Sequence, residues 1–246
     1  MIIEIDGKAC TCSPGEYLFD IASRNRIYIP TLCRHEGLTG RGCCRVCIVE
    51  VETRGRKDIV TACIYPVEQQ CCVFTDSDRV KRRRGMMLAL LRSCAPESEE
   101  IARLCEMYGT PIYERFVQKA NEKCILCGLC VSACETLGTS AISSVNRGVE
   151  KKISTPYNEP AADCIGCGSC AAVCPTGAIS IEESNSSRTI WNRKFSVQLC
   201  DNCGSLVGTQ DELAFAAKKT GIEPSTLCES CRRKAITDAM ITAYGS

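Results

Sequence analysis

Residues 164–175 read CIGCGSCAAVCP, and a second stretch of the same form, CILCGLCVSACE, lies at 124–135. Each stretch places four cysteines at the spacing C-x2-C-x2-C-x3-C. Spacings this short can wrap three thiolates around one face of a small inorganic cube, but the fourth ligand cannot come from the same turn. Similar tails, TSAIS at 139–143 and TGAIS at 176–180, follow the two runs. The chain therefore carries an internal duplication of a metal-binding pattern.

The composition favours metal ligation over disulfides. The chain has 23 cysteines among 246 residues, one histidine, and 30 basic against 29 acidic side chains. The opening residues, MIIEIDGKAC, contain no export signal, and no apolar run is long enough to span a membrane. Cysteines in C-x-x-C clusters of a cytosolic chain are metal ligands more often than disulfides. We therefore predict a cytoplasmic metalloprotein, and the balanced charge gives no support to nucleic acid as a partner.

The stretch from about 119 to 183 resembles the bacterial two-[4Fe–4S] ferredoxin domain. Pro175 follows the last cysteine as in that family, whereas Glu135 takes this place in the first run. The resemblance implies that the fourth cysteine of each run crosses to the other cluster. One cluster would then be held by Cys124, Cys127, Cys130 and Cys174, and the other by Cys164, Cys167, Cys170 and Cys134. A pair of zinc knuckles is the alternative, although zinc sites usually join two C-x-x-C units across a longer gap.

The N-terminal third predicts a small domain of strands and one helix. Residues 2–5 alternate apolar and polar side chains and lead into a turn at Asp6–Gly7, and residues 16–25 have apolar side chains at helical spacing. A short apolar strand, VCIVEV at 46–51, directly follows a glycine-rich loop. Cys33, Cys44, Cys47 and Cys63 are candidate ligands of one centre there, with Cys43 as a competitor for Cys44.

Three motifs of this region, IPTLC at 29–33, CRVCIVEV at 44–51 and ACIYPV at 62–67, resemble a known family. They are similar to the N-terminal ferredoxin domain of the large iron–sulfur subunit of respiratory NADH dehydrogenase, and to the diaphorase iron–sulfur subunits of NAD-linked hydrogenases and formate dehydrogenases. The resemblance implies a plant-type [2Fe–2S] cluster on a β-grasp domain. It favours Cys44 over Cys43, because C-R-x-C followed by a strand is the family's form. His35, close to Cys33, is interpreted as a solvated loop residue, with a contact that tunes the cluster as the alternative.

Many relatives carry a further [4Fe–4S] site after this domain, held by one histidine and three cysteines. Residues 79–109 contain no histidine and only Cys94 and Cys105, so we predict that this cluster is absent. Two helices are expected instead. The basic run Lys81–Arg84 is interpreted as a solvated helix face, with a docking surface for an acidic partner subunit as the alternative.

The C-terminal residues contain a further group of four cysteines at a different spacing. Cys200, Cys203, Cys228 and Cys231 form C-x2-C-x24-C-x2-C, a pattern typical of a four-sulfur zinc site. Zinc is the preferred metal, with a further iron–sulfur cluster or rubredoxin-type iron as alternatives. Between the two pairs, Thr209 and Glu212 predict a capping box, and the helix that follows should stop at Gly221. A last helix is expected over 229–243.

The predicted architecture is α+β with four parts. They are a [2Fe–2S] β-grasp domain at 1–78, a helical linker at 79–118, a two-[4Fe–4S] ferredoxin domain at 119–186, and a small zinc-ribbon-like domain at 187–246. Expected cofactors are one [2Fe–2S], two [4Fe–4S] and one Zn²⁺. No nucleotide-binding glycine motif or nucleophile triad accompanies them, so the sequence predicts a conductor of single electrons.

The resemblance implies an electron-transfer subunit of a cytoplasmic NAD(P)-linked complex, namely a hydrogenase, a formate dehydrogenase or an electron-bifurcating transhydrogenase. Expected partners are a flavin-containing diaphorase subunit and another redox subunit, with soluble ferredoxin as a further candidate. One alternative is a free-standing multi-cluster carrier or sensor whose zinc-bound tail docks a target. Another is a structural zinc protein, which predicts a colourless sample.

Overall fold

The computed structural model describes residues 1–38, 40–116 and 122–244. These residues mix helices with several sheets, which confirms the predicted α+β character. They divide into two compact units. The first comprises Met1–Ser132 and Val173–Ala178, and the second Ala133–Ala172 and Ile179–Ser246. The predicted boundary between linker and ferredoxin domain, at 118/119, falls outside the described residues.

A five-stranded sheet forms the centre of the first unit. Its strands are β1 (Ile2–Ile5), β2 (Lys8–Thr11), β4 (Ile48–Thr53), β5 (Arg56–Thr61) and β7 (Cys72–Phe74). The strand order is β2-β1-β7-β4-β5, in which β1 and β7 run parallel and the other neighbours antiparallel. Two short strands, β3 (Glu16–Tyr17) and β6 (Pro66–Val67), pair beside it. The predicted strand at 46–51 is thus present as β4, shifted by two residues.

Two hairpins of this sheet have two-residue turns with a glycine at the second position. Asp6 and Gly7 join β1 to β2 with φ angles of 49° and 80°, the left-handed conformation that a two-residue hairpin turn requires. Arg54 and Gly55 do the same between β4 and β5, at 51° and 77°. The alternating pattern of β1 then sends Ile3 and Ile5 into the core. The predicted turn at Asp6–Gly7 is confirmed.

Helix α1 (Leu18–Arg24) covers the inner face of this sheet. Leu18, Ile21 and Ala22 are completely buried there. Three cysteines outside the predicted ligand groups, Cys10, Cys12 and Cys71, are buried in the same core. They act there as small apolar residues.

Two further helices, α2 (Asp78–Cys94) and α3 (Glu99–Met107), occupy the predicted linker. Each begins with a serine whose hydroxyl accepts a backbone N–H three residues on, Ser77 for α2 and Ser98 for α3. The interpretation of Lys81–Arg84 as a solvated face is wrong for Arg84, which is 1% exposed, whereas the first three residues of the run are exposed.

Burial of Arg84 is possible because its guanidinium has fixed acceptors. Nε donates to Val46 O at 3.1 Å, and Nη2 donates to Ile48 O at 2.7 Å and to Thr75 O at 3.0 Å. The guanidinium carbon also lies 4.9 Å from the centre of the Tyr108 ring. Burial lowers the pKa of Arg84 from its usual value. Arg84 therefore ties helix α2 to the backbone on both sides of Cys47.

The second unit contains two sheets and the C-terminal helices. Strands β8 (Ser143–Val145) and β9 (Lys152–Ser154) form a hairpin. A four-stranded antiparallel sheet follows, in the order β10 (Glu182–Glu183), β11 (Ser187–Ile190), β12 (Arg193–Leu199) and β13 (Leu206–Thr209). Helix α4 (Leu129–Leu137) contributes residues to both units, and α5 (Ser169–Ala172), α6 (Gln210–Thr220) and α7 (Glu229–Tyr244) belong to the second.

The predicted capping box is present at the start of α6. Thr209 Oγ1 accepts the Glu212 N–H at 3.0 Å, and the Glu212 carboxylate accepts the Thr209 N–H at 3.4 Å. Gly221 ends the helix in the left-handed region, with φ of 70°. The expected last helix is α7, one residue longer than predicted. Among the residues described, no helix combines the length and the apolar character that crossing a bilayer demands.

Replacement of Arg84 by methionine should destabilise the first unit strongly. The substitution leaves three buried carbonyls without a donor, and loss of hydrogen bonds to a charged donor costs about 3 kcal/mol or more in total. For a chain of this size we expect a fall in Tm of roughly 6–12 °C, measured by circular dichroism under anaerobic conditions. The matched control is Arg83→Met on the exposed face of the same helix, with a change within about 0.5 kcal/mol. Equal effects of the two substitutions would contradict the assigned role of Arg84.

Candidate metal centres

The first centre lies in the N-terminal unit and gathers four buried cysteines. Cys33, Cys44, Cys47 and Cys63 are between 0% and 5% exposed. The first three come from the loop before β4, and the fourth from a short 3₁₀ turn after β5. The thiol of Cys43, followed by those of Cys44 and Cys63, holds the pKa of Cys33 well below its usual range, and the Cys44 N–H donates to Cys33 Sγ at 3.4 Å. The structure thus brings the four predicted ligands together.

Cys43 touches the same group from the outside. Its side chain is exposed, unlike that of Cys44, and its Sγ donates to the carbonyl oxygen of Cys127 at 3.4 Å. A hydrogen bond to Cys33, together with burial of the sulfur, raises the pKa of the Cys43 thiol. Cys43 therefore connects the loop of this centre with the loop of the next one. The exposed His35 accepts the Gly37 N–H on Nδ1 at 3.2 Å, as expected of a loop residue.

The second centre forms around the first C-x2-C-x2-C run. Cys127 and Cys130 are buried, and Cys124 is half-buried. Burial raises the pKa of Cys127 to about 11, with smaller contributions from the charges of Cys174 and Cys124. Cys174 belongs to the later run, yet it falls in the same compact unit as Cys127. Backbone N–H groups of Leu126 and Ala178 donate to Cys124 Sγ at 3.4 Å and to Cys174 Sγ at 3.3 Å.

The third centre is an apolar cavity of the second unit. Four cysteines line it, namely Cys134, Cys164, Cys167 and Cys170. The Ala141 N–H donates to Cys134 Sγ at 3.2 Å, and Trp191 Nε1 donates to Cys170 Sγ at 3.4 Å. Burial raises the pKa of Cys170 to about 11, and the bond from Trp191 acts in the opposite direction.

The two compact units divide the cysteines of the two runs between them. The first unit contains Cys124, Cys127 and Cys130 together with Cys174, and the second contains Cys164, Cys167 and Cys170 together with Cys134. Each unit therefore holds three cysteines of one run and the last cysteine of the other. The donor sets fit [4Fe–4S] clusters, because each offers four thiols, backbone N–H donors to sulfur and an apolar surround.

The C-terminal four cysteines form a tighter group. The sulfur atoms of Cys200, Cys203, Cys228 and Cys231 all lie within 4.8 Å of one another, and those of Cys203 and Cys228 are 3.6 Å apart. In a tetrahedral zinc site with Zn–S bonds of about 2.3 Å, neighbouring sulfurs are about 3.8 Å apart. Within the described part of the chain, no other group of His, Cys, Asp and Glu has ligand atoms this close together. This group therefore fits a single ion.

Electrostatics of the C-terminal group favour an ionised sulfur. The Cys228 N–H is the main cause that lowers the pKa of Cys200, to about 6. The pKa of Cys231 is raised to about 11, with the neighbouring thiols of Cys203 and Cys228 as the main causes that raise it. A thiolate is the form that binds metal. Asn202 Nδ2 donates to Cys231 Sγ at 3.3 Å and helps to orient it.

Three side chains hold the loop of the third centre through contacts that the sequence did not predict. Arg188 Nη1 donates to Gly166 O at 2.8 Å, and Thr209 Oγ1 donates to Ile165 O at 2.5 Å. Arg193 Nη1 reaches three carbonyls of the same loop at 2.7–2.9 Å, those of Ala161, Ala162 and Cys164. Because the Trp191–Asn192 turn contains no glycine, the sequence lacks the usual signal for the hairpin that carries both arginines.

Comparisons with known proteins agree with these centres. Residues 1–78 match the model of a 2Fe-2S iron-sulfur cluster binding domain, and residues 123–178 match that of a 4Fe-4S dicluster domain. The chain is 35% identical over 210 residues to the NADP-reducing hydrogenase subunit HndD of Solidesulfovibrio fructosivorans, covering 73% of this chain and 36% of that protein. It is 30% identical over 227 residues to the NADPH-Fe(3+) oxidoreductase subunit alpha of Geobacter sulfurreducens, covering 82% and 26% respectively.

A solved structure is also similar. A chain in the crystal structure of an NAD+-reducing [NiFe]-hydrogenase in the H2-reduced state superposes with a TM-score of 0.61 at 25% identity, covering 72% of this chain and 85% of that one. The chain spans only about a quarter to a third of the length of the curated relatives. The predicted resemblance to iron–sulfur subunits of NAD(P)-linked complexes is confirmed.

Substitution of Gly166 by alanine should disturb the third centre. A Cβ at this position would lie 2.6 Å from Phe195 Cδ2, and the backbone has a φ of +67°. Overpacking and left-handed strain together cost about 2–5 kcal/mol. We expect a lower Tm and a lower iron content, measured by anaerobic thermal unfolding and metal analysis. Gly148→Ala is the control, because Gly148 has a φ of +58° but no atom within 4 Å of the added methyl. A larger fall in Tm and iron content in Gly148→Ala than in Gly166→Ala would contradict the role given to the Phe195 contact.

Proposed function

We propose that this chain relays single electrons within an NAD(P)-linked oxidoreductase complex. The electrons would pass between a flavin-containing diaphorase subunit and a partner redox centre of a hydrogenase, a formate dehydrogenase or an electron-bifurcating transhydrogenase. The observation that carries the proposal is the exchange of Cys134 and Cys174 between two cysteine runs, beside a separate buried group of four cysteines. Several one-electron centres in one chain make a conductor.

The proposed ligand sets follow from these groups. The [2Fe–2S] cluster is assigned to Cys33, Cys44, Cys47 and Cys63. The first [4Fe–4S] cluster is assigned to Cys124, Cys127, Cys130 and Cys174, and the second to Cys164, Cys167, Cys170 and Cys134. Its burial, with 5% exposure, supports Cys44 over the exposed Cys43. When bound, each cluster supplies one-electron redox chemistry at a potential set by its surroundings.

The residues of the chain bind the clusters, shield them and bring two of them close. Backbone N–H groups stabilise the ligand sulfurs, and apolar neighbours such as Ile125 and Ile165 limit access of water. Cys43 Sγ donates to Cys127 O, and Arg41 Nε donates to Ser132 Oγ at 3.1 Å. These contacts join the [2Fe–2S] loop directly to the first [4Fe–4S] loop, which supports electron transfer between those two centres.

Partners are proposed because two-electron donors need a centre that splits the electron pair. The relatives' names refer to an NADP-reducing hydrogenase and an NADPH-Fe(3+) oxidoreductase. A flavin subunit beside this chain would convert a hydride into single electrons, and soluble ferredoxin is a further candidate for the exchange. We place the complex in the cytoplasm, where thiols are kept reduced.

The C-terminal residues 187–246 are proposed to form a small zinc-ribbon-like domain. Sulfur atoms within 4.8 Å of one another suit a single Zn²⁺ better than a cluster. Zinc has no redox chemistry, so this ion would be structural. A metal of this kind supplies on the order of 10 kcal/mol of folding free energy in small domains.

Metal content and EPR test the proposal. Anaerobically purified protein should contain about ten irons per chain and one zinc, and stepwise reduction should reveal one two-iron and two four-iron signals. About fourteen irons without zinc would move the C-terminal site to a third [4Fe–4S] cluster. A stable flavoprotein that co-purifies favours the role in a complex over that of a free-standing carrier. Folded protein with zinc alone would refute the electron-transfer role.

Serine substitutions should separate the two adjacent cysteines. Cys44→Ser is expected to abolish or strongly shift the two-iron EPR signal, because it replaces a buried sulfur of the ligand group. Cys43→Ser should leave about two irons at this site with a signal of nearly normal shape, because the hydroxyl can still donate to Cys127 O. The reverse pattern would show that Cys43 is the ligand.

A further inference from the structure

The one tryptophan of the chain occupies an unfavourable backbone conformation. Trp191 and Asn192 form the two-residue turn between β11 and β12, with φ angles of 52° and 59°. Glycine and asparagine suit such positions, whereas a bulky side chain is rare there and costs free energy. Strain of this kind persists where the surroundings hold it in place, and it is concentrated at functional sites.

The surroundings of this hairpin hold Trp191 against the third centre. The hydrogen bonds of Arg188 and Arg193 fix β11 and β12 to the ligand loop. Ile190 and Phe195 are buried on either side of the turn, at 3% and 2% exposure. Thr209 also holds this loop, because its hydroxyl donates to Ile165 O. Five residues outside the cysteine motif therefore set the position of the indole.

The indole lies at the sulfur of a proposed ligand. Trp191 lines the cavity together with the four cysteines, and its Nε1 is 3.4 Å from Cys170 Sγ. A ligand sulfur carries more negative charge when its cluster is reduced, so a donor at this distance stabilises the reduced state more than the oxidised state. Because the chain has one tryptophan, the first [4Fe–4S] site has no equivalent indole.

We propose that Trp191 is a positioning residue that raises the reduction potential of the second [4Fe–4S] cluster by hydrogen bonding to Cys170. This inference rests on the proposed function, because it needs a cluster in the cavity. Its consequence is that the β11–β12 hairpin, which follows the ferredoxin motif in sequence, belongs to the redox site. The two clusters of the duplicated motif then differ in potential through a residue outside the duplication.

Two changes at Trp191 test the proposal in opposite directions. Trp191→Phe keeps an aromatic ring but removes the N–H donor. We expect the equilibrium constant for reduction of the second cluster to fall about tenfold, which lowers its midpoint potential by ~59 mV for one electron. Uniform incorporation of 5-fluorotryptophan alters only this residue. Fluorine makes the N–H a stronger donor, so the midpoint should rise. Both are measured by EPR-monitored redox titration of the whole protein.

The first [4Fe–4S] cluster serves as an internal control, and its midpoint should stay unchanged. Tyr157→Phe is the control variant, because Tyr157 is 93% exposed and does not line the cavity. Cys167→Ser identifies which signal belongs to the second cluster. Unaltered midpoints in both Trp191 samples would overturn the role of the indole while the clusters remain. If Trp191→Phe fails to assemble the cluster, the midpoint of the fluorinated protein tests the role of the indole by itself: a rise supports it and an unchanged value overturns it. Absence of every iron–sulfur signal in the unmodified protein would refute the proposed function instead.

Discussion

Four thiolates must meet at the corners of a tetrahedron around a four-iron cube, and one C-x2-C-x2-C run supplies three of them. The proposed ligand assignment follows from that shortage. The last cysteine of each run is placed with the first three cysteines of the other, so that residues 173–178 belong to the first compact unit and Ala133 onward to the second. In the proposed assignment, each site of the duplicated motif therefore needs one cysteine from the other run.

Arginine side chains on backbone carbonyls fix the ligand loops from outside. Arg84 binds the carbonyls of Val46 and Ile48, on either side of Cys47. Arg193 binds the carbonyl of Cys164 and those of two residues before it. A guanidinium offers several donors in a rigid plane, and it holds a loop without competing for the thiolates. A loop held in this way keeps its thiols in place and gives up less conformational entropy when metal binds.

Features that depend on neighbouring residues could be predicted from the sequence, and those that depend on distant partners could not. The turn at Asp6–Gly7 and the capping box of Thr209 and Glu212 are set by residues within three positions of each other, and both are present. The grouping of the cysteines could be predicted from spacing and family resemblance, and their role as ligands stays a prediction. The inward orientation of Arg84 depends on a carbonyl 38 positions away, and the contact of Trp191 depends on a sulfur 21 positions away. Composition alone places an arginine in a basic run on the surface, and only the fold reveals the carbonyls that accept it.

Electron transfer by this chain requires that thiolates in three of its parts hold iron and sulfide close enough together to pass single electrons. Native mass spectrometry of protein purified and sprayed without air can measure this, because it weighs the intact chain with its clusters. We expect an added mass of about ten irons and ten sulfides, with that of one zinc, and loss of one four-iron cluster when Cys174 is replaced. A folded chain that carries zinc but no sulfide would contradict it.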